Sequence, residues 1–349
     1  MTLALSLANP RFTIQMSDRR LNAISGSGDV LTEEANKAGA LVCGDARLAY
    51  SFTGLAFSGS ATQRTFDTRR WLLGAILEAA KPDFQIEFIA ERFCKIATQE
   101  FRLNRDILHL PKRNRKLSLM LTGYWNTTAG CLPAGWIITN FQQNFDIGTG
   151  APDLVDPWDE FRCWRWHQTV PPTGRFVHIE RLGAWRGVTN FEMAWLENLM
   201  RDDRPVDAII GSALKVMYRA SDADVTSGTV GKRINIVVVP QKGSEKIRFA
   251  YESNFVTKDV FVPDMLVATG PDMCKWMTLL LEGRATSASS CPVSVPRVHR
   301  KRPCPCGSGQ TYERCHRRFR RDIRRYLQED GERALYLALD HGGNGLGSH

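Results

Sequence analysis

An α+β fold is what this sequence predicts, and three features carry the prediction. Strand-like and helix-like stretches come in separate runs (strands, two helices, strands, two helices, strands) instead of a βαβ alternation. The chain has 349 residues, 43% hydrophobic and 24% charged, which is an ordinary globular composition with enough length to bury a core. No apolar run approaches the roughly 20 residues a membrane span needs.

The elements follow in order. Residues 3–7 and 11–17 read as two strands joined at Ala8-Asn9-Pro10, residue types suited to a tight turn. A polar, Gly/Ser-rich loop covers 22–36, and GALVCGDARLAYSFTG then reads as a hairpin with Gly44-Asp45 at its tip. RRWLLGAILEAAK is a helix stopped by Pro82. A second helix is expected to take Asp83 as N-cap and to stack Ile86, Ile89, Phe93 and Ile96 in one stripe. LSLMLTGYW and GWIITNF form a further strand pair, and residues 142–175 are the least regular part of the first 280. RFVHIERLGAW is a strand leading to a helix capped by Asn190, and VDAIIGSALKVMYRA is another helix. INIVVV reads as a buried strand by its β-branching, KIRFAYES extends the sheet, and an apolar helix is expected over about Asp272–Glu282.

Residues 1–283 thus form one expected domain. A linker of small residues and proline spans 284–302, a cysteine-containing module 303–320, and a basic tail helix 321–340, loosened at Gly331. The formal charge is +9, and the stretch Arg297–Arg325, with eleven Lys/Arg against Glu313 and Asp322, accounts for all of it. Nucleic-acid binding is therefore at most a property of the C-terminus, where aromatic interleaving is sparse (Tyr312, Phe319, Tyr326). The N-terminus lacks a basic n-region and a small-residue cleavage site, so a cytoplasmic location is expected, with no membrane partner. Six of the nine cysteines are scattered without pattern and read as small buried hydrophobes.

Thr2 heads the first strand, and Asp18 stands sixteen residues later within Asp18-Arg19-Arg20. Removal of Met1 would leave Thr2 with a hydroxyl nucleophile and an α-amine base in one residue. An unperturbed α-amine has a pKa near ~7.7–8.0 and can accept a proton at neutral pH. Further along come Lys37, Ser51 fourteen residues after it, Gly54, and Asp224-Val225-Thr226-Ser227-Gly228 ahead of INIVVV.

This order resembles the proteasome-like branch of the N-terminal-nucleophile hydrolases, over roughly residues 2–260. The resemblance implies a four-layer αββα sandwich and a threonine-type peptidase or amide hydrolase acting on a peptide or protein. It implies Thr2 as nucleophile, Lys37 beside the amine, Asp18 orienting Lys37, an oxyanion-binding N–H at Ser51, and Asp224 and Ser227 around the amine. It also implies a homo-oligomer, commonly a ring. Two positions depart from the pattern: Ser51 stands where glycine is common, and Ala184 after Gly183 stands where a serine is often found.

RPCPCGSGQTYERCHRRF places Cys304, Cys306, Cys315 and His316 in the spacing C-x-C-x8-C-H, three thiols and an imidazole that make a closed tetrahedral set for structural Zn²⁺. This stretch is very similar to the SEC-C motif, which implies docking to a protein partner. Two other functions fit the same residues. One is a catalytically inactive binding scaffold on the same fold; the other is a ribosome- or RNA-associated factor acting through the basic zinc module.

Overall fold

The computed structural model describes residues 2–22, 30–32, 35–59, 64–142, 156–168, 176–202, 204–223, 229–252, 260–261, 263–278 and 281–282, with 301, 311 and 337–338 beyond them. In chain order the first strands are β1 (Leu3–Ala8), β2 (Phe12–Asp18), β3 (Leu21–Asn22), β4 (Val30–Thr32), β5 (Ala38–Cys43), β6 (Ala46–Gly54), β7 (Phe57–Gly59) and β8 (Arg64–Asp67). Helices α1 (Thr68–Ala79), α2 (Ile86–Leu103) and α3 (Arg105–Leu108) follow, then β9 (Leu117–Thr127), β10 (Gly130–Thr139), β11 (Arg162–His167) and β12 (His178–Gly183). The rest comprises α4 (Asn190–Arg201), α5 (Val206–Asp222), β13 (Ile234–Pro240), β14 (Arg248–Glu252), β15 (Val260–Phe261), β16 (Asp264–Gly270), β17 (Met273–Thr278), β18 (Leu281–Glu282) and β19 (Leu337–Ala338).

Two sheets organise the chain. One has the order β12-β1-β2-β13-β14, the other β11-β10-β9-β6-β5-β16-β17-β19. Neighbours in both are antiparallel except β5 and β16, which run parallel. The period-two alternation of the strands decides what each face meets. Leu3, Leu5 and Leu7 of β1, Phe12, Ile14 and Met16 of β2, and Ile234, Ile236 and Val238 of β13 pack with α4 and α5. Leu48, Tyr50 and Phe52 of β6 and Leu117, Leu119 and Leu121 of β9 pack with α1 and α2. Each such side chain, fully buried, contributes about 1.5–3 kcal/mol, so the helices are held chiefly by these faces.

The intervening residues of β1, β2, β6 and β9 face the opposite sheet, and many are small or polar. Ser6 Oγ donates to Thr122 Oγ1 (2.8 Å), Thr122 Oγ1 to Gln15 Oε1 (2.6 Å), and Gln15 Nε2 to Ser51 Oγ (2.6 Å) and to Met120 O (3.2 Å). Every member of this relay is buried and paired, which is the condition under which a polar core is tolerated. Ala38, Ala40, Ala49, Val237 and Val239 close the rest of the space between the sheets.

Several expectations need correcting. The helix expected over 272–282 is a strand over Met273–Thr278, antiparallel to β16. Its pattern has period two: Cys274 and Trp276 pack against the α1–α2 core, while Met273 and Lys275 are exposed. Asp83 does not cap α2. The helix starts at Ile86 after Gln85, and Asp83 pairs with Arg92. The first-turn N–H of Ile86 instead donates to Asp45 Oδ1 (2.8 Å), from the tip of the β5–β6 hairpin. Thr189, not Asn190, caps α4, in a capping box with Glu192. The 22–36 loop holds part of the β3–β4 pair, the 142–175 stretch contains β11, and Leu337–Ala338 is extended, pairing with β17 where a helix was expected. The β7–β8 pair before α1 had no counterpart in the sequence reading. Among the described residues no helix is long and apolar enough to cross a membrane.

Candidate active site at the head of the first strand

Asp18 closes β2 and is wholly buried. Because β1 and β2 form a tight antiparallel hairpin with Ala4 opposite Ser17, the head of β1 lies beside the end of β2. Asp18 Oδ2 accepts the N–H of Leu3 (2.7 Å), and Oδ1 accepts those of Arg20 (3.0 Å) and Gly231 (3.1 Å). A buried carboxylate also demands an opposing charge, and Lys37 Nζ supplies it at 3.7 Å.

Lys37, itself 2% exposed, comes from the segment leading into β5. Its ammonium donates to Thr2 Oγ1 at 2.5 Å and to the carbonyl of Arg20. The structure therefore brings together three residues singled out from the sequence: Thr2, Lys37 and Asp18. Arg20 adds its backbone to both partners, its N–H to Asp18 and its carbonyl to Lys37.

A residue the sequence reading missed stands at the Thr2 nitrogen. Thr53 Oγ1, on β6, accepts from Thr2 N–H (3.3 Å) and donates to Thr2 O (3.2 Å). The available signal was its parity with Ser51 on the same face of β6. Ala184, where a serine was expected, contributes its backbone N–H to Thr2 O (2.9 Å). Gly183 has φ +76°, and a Cβ placed on it would lie 1.7 Å from Thr2 O and 2.7 Å from Thr53 Oγ1. Only glycine allows this approach of β12 to the head of β1.

Ser51 is not part of this arrangement. It sits between Ala38 of β5 and Met120 of β9, wholly buried, with its hydroxyl bonded to Gln15. Phe52 N–H points towards β5, donating to Lys37 O (3.1 Å), so Ser51 N–H points the other way, into the β9 ladder. Gly54 shares the parity of Phe52, lies beyond the residues of β6 that pair with β5, and lines the same cleft as Lys37. Gly54 has φ +104°, and a Cβ there would lie 2.2 Å from Lys116 O. Asp224, Ser227, Cys304, Cys306, Cys315 and His316 fall outside the described residues.

Thr2 and Lys37 open into a cleft of about 260 Å³, whose walls include Gly54, Leu55, Ala56 and Phe57. The hydroxyl of a cleft-lining threonine thus lies next to a cation. Among the described residues, no three His, Cys, Asp or Glu side chains gather as metal ligands.

Residues 300–318 match the SEC-C motif family. Comparison with curated proteins finds no significant match. Among solved structures, the chain is similar to Anbu (ancestral beta-subunit) from Yersinia bercovieri, at 12% identity and a TM-score of 0.41, over 68% of this chain and 82% of that one. It is also similar to Anbu from Hyphomicrobium sp. strain MC1, at 10% identity and a TM-score of 0.42, over 71% of this chain and 86% of that one. A Gly-1 mutant of the Hyphomicrobium protein matches at 12% identity and a TM-score of 0.42, over 71% of this chain and 87% of that one.

Gly183→Ala is expected to destabilise the protein by at least about 1–2 kcal/mol, from left-handed backbone strain alone, with the Thr2 contact adding to it. Urea unfolding measures this, and an unchanged midpoint would contradict the close approach.

Proposed function

We propose that the chain is an N-terminal-threonine amide hydrolase, a peptidase of the N-terminal-nucleophile class, built on a four-layer αββα sandwich. The observation that carries this reading is the buried Thr2 Oγ–Lys37–Asp18 chain opening into a cleft. Removal of Met1 would convert Thr2 N from an amide into an amine. That amine takes the Oγ proton as Oγ attacks the substrate carbonyl. The Lys37 ammonium, already donating to Oγ, stabilises the alkoxide character that develops there, and Asp18 holds Lys37 in place.

The Gly54 N–H, in place of Ser51, is the oxyanion donor in this reading; such a donor is worth about 2.7–4 kcal/mol. Thr53 orients the amine and offers a path for its proton. Asp224 and Ser227 keep their proposed place around the amine.

Zinc belongs to the other end. Three cysteines and a histidine suit Zn²⁺ in softness and number, leave no open position, and point to a structural ion. A module of some fifteen residues would draw much of its folding free energy from that ion. We assign it a docking role towards a protein partner. The enzyme itself we place in the cytoplasm, as a homo-oligomer.

Peptide-amide hydrolysis by the Met1-free protein tests the catalytic reading. Thr2→Ala is expected to abolish it, Thr2→Ser to retain part of it, and Lys37→Met to lower it by about 10²–10⁴-fold. The base must be unprotonated, and the Lys37 charge favours the neutral amine, so kcat/KM should rise with pH and level off around an apparent pKa below ~8. Activity that survives Thr2→Ala, or that falls as pH rises from 6 to 8, would overturn the assignment.

Elemental analysis of the full chain should find a single zinc ion, lost in the Cys304→Ser/Cys315→Ser double variant. Metal-free protein as purified, or zinc retained by the double variant, would contradict the assignment of the ligands.

A further inference from the structure

The charge of the cleft is not explained by the catalytic reading. Besides Thr2 and Lys37, its lining includes Arg20, Arg113, Asn114 and Lys116, and among the described residues no lining side chain is acidic. The carboxylate below it, Asp18, is wholly buried and already meets three backbone N–H groups and Lys37. This local bias stands out because the chain outside Arg297–Arg325 carries equal numbers of basic and acidic residues.

Two of the cations come from one short segment. The 3-10 turn Lys112–Asn114 places Arg113 at the mouth, where it is exposed. Three residues on, Lys116 is 7% exposed, with its ammonium 5.9 Å from the centre of the Phe141 ring. Its carbonyl holds Leu55 N–H at 2.6 Å, which fixes the segment against the wall that carries the Gly54 donor. Lys37 is committed to Thr2 Oγ, Arg20 O and Asp18, so it serves the nucleophile. Arg113 and Lys116 lie on another wall of the same cleft. A cluster of like charges around a partly dehydrated depression attracts and retains an anion.

We propose that this cleft selects amides whose acyl part carries a carboxylate, with Arg113 and Lys116 as the residues that bind it. The substrate class is then a peptide cleaved after aspartate or glutamate, or another acyl amide with an acidic side group. Leu55, Ala56 and Phe57 would cover the methylene part of such a chain. This specificity rests on the hydrolase reading of Thr2, and its test separates the two.

The Met1-free full chain is assayed with acetyl-Ala-Ala-X-aminomethylcoumarin, where X is Asp, Glu, Leu or Lys. Binding of fluorescein-labelled Ala-Ala-Glu to the Thr2→Ala variant is measured in parallel by polarisation, at low and high salt. Hydrolysis of the Asp or Glu substrate should exceed that of the Leu substrate by about ten-fold or more, the scale of a charge-assisted contact. Arg113→Glu, a change at an exposed position, should remove that preference, and Lys116→Met should weaken it.

Hydrolysis that favours Leu or Lys, or an acidic preference untouched by Arg113→Glu, overturns the proposal while leaving the hydrolase intact. No hydrolysis of any substrate, with salt-sensitive peptide binding weakened about ten-fold by Arg113→Glu, overturns the hydrolase and supports the carboxylate site. Absence of both hydrolysis and Arg113-dependent binding overturns both.

Discussion

One buried carboxylate organises the region on which everything else depends. Asp18 has no solvent, so it must be neutralised and fully hydrogen-bonded by the protein. It meets that demand by gathering the N–H groups of Leu3, Arg20 and Gly231 and the ammonium of Lys37. Four chain segments distant in sequence are thereby tied to one point. Lys37 also reaches Thr2 Oγ, so the same contacts that satisfy a structural constraint position a cation on a hydroxyl. Removing Asp18 would leave Lys37 buried without its counter-charge, and such half-broken pairs cost several kcal/mol.

The surroundings hold the head of β1 from two further directions. Gly183 lets β12 approach Thr2 O closely enough for Ala184 N–H to bond it, and Thr53 reaches across from the second sheet to both backbone atoms of Thr2. Thr53 sits on the same inward face of β6 as Ser51, whose bond to Gln15 joins the Ser6–Thr122–Gln15 relay. The polar seam between the sheets and the candidate site therefore share the inward face of β6. Helical faces supply the apolar burial on the outside, and the interior between the sheets supplies orientation.

The sequence showed some of this plainly. A hairpin with an asparagine-proline turn sets the register of β1 and β2, so Thr2 and Asp18 were bound to lie close, and alternation made Leu3, Leu5 and Leu7 one face. Counting along the chain does not resolve strand parity. Fourteen residues after Lys37 falls Ser51, whose N–H belongs to the β9 ladder, whereas Gly54, the donor proposed above, lies three residues further on the parity of Phe52. Thr53 had only its parity with Ser51 to mark it, because its contact spans fifty-one positions and joins two sheets. The 273–278 segment misled because its apolar residues are dense enough to fit either period, and only its pairing with β16 selects the strand. Cleft charge could not be read either, since Arg20, Lys37, Arg113 and Lys116 meet only in the folded chain.

The central claim is that Thr2, freed of Met1, is a nucleophile with its own amine as base. Intact mass spectrometry of the protein after exposure to a peptide epoxyketone tests this most directly, because that electrophile requires both groups on one residue. The expected result is a mass lacking methionine and carrying a single adduct, with no adduct on Thr2→Ala. A protein that retains Met1, or one that has lost Met1 and still fails to react, would contradict it.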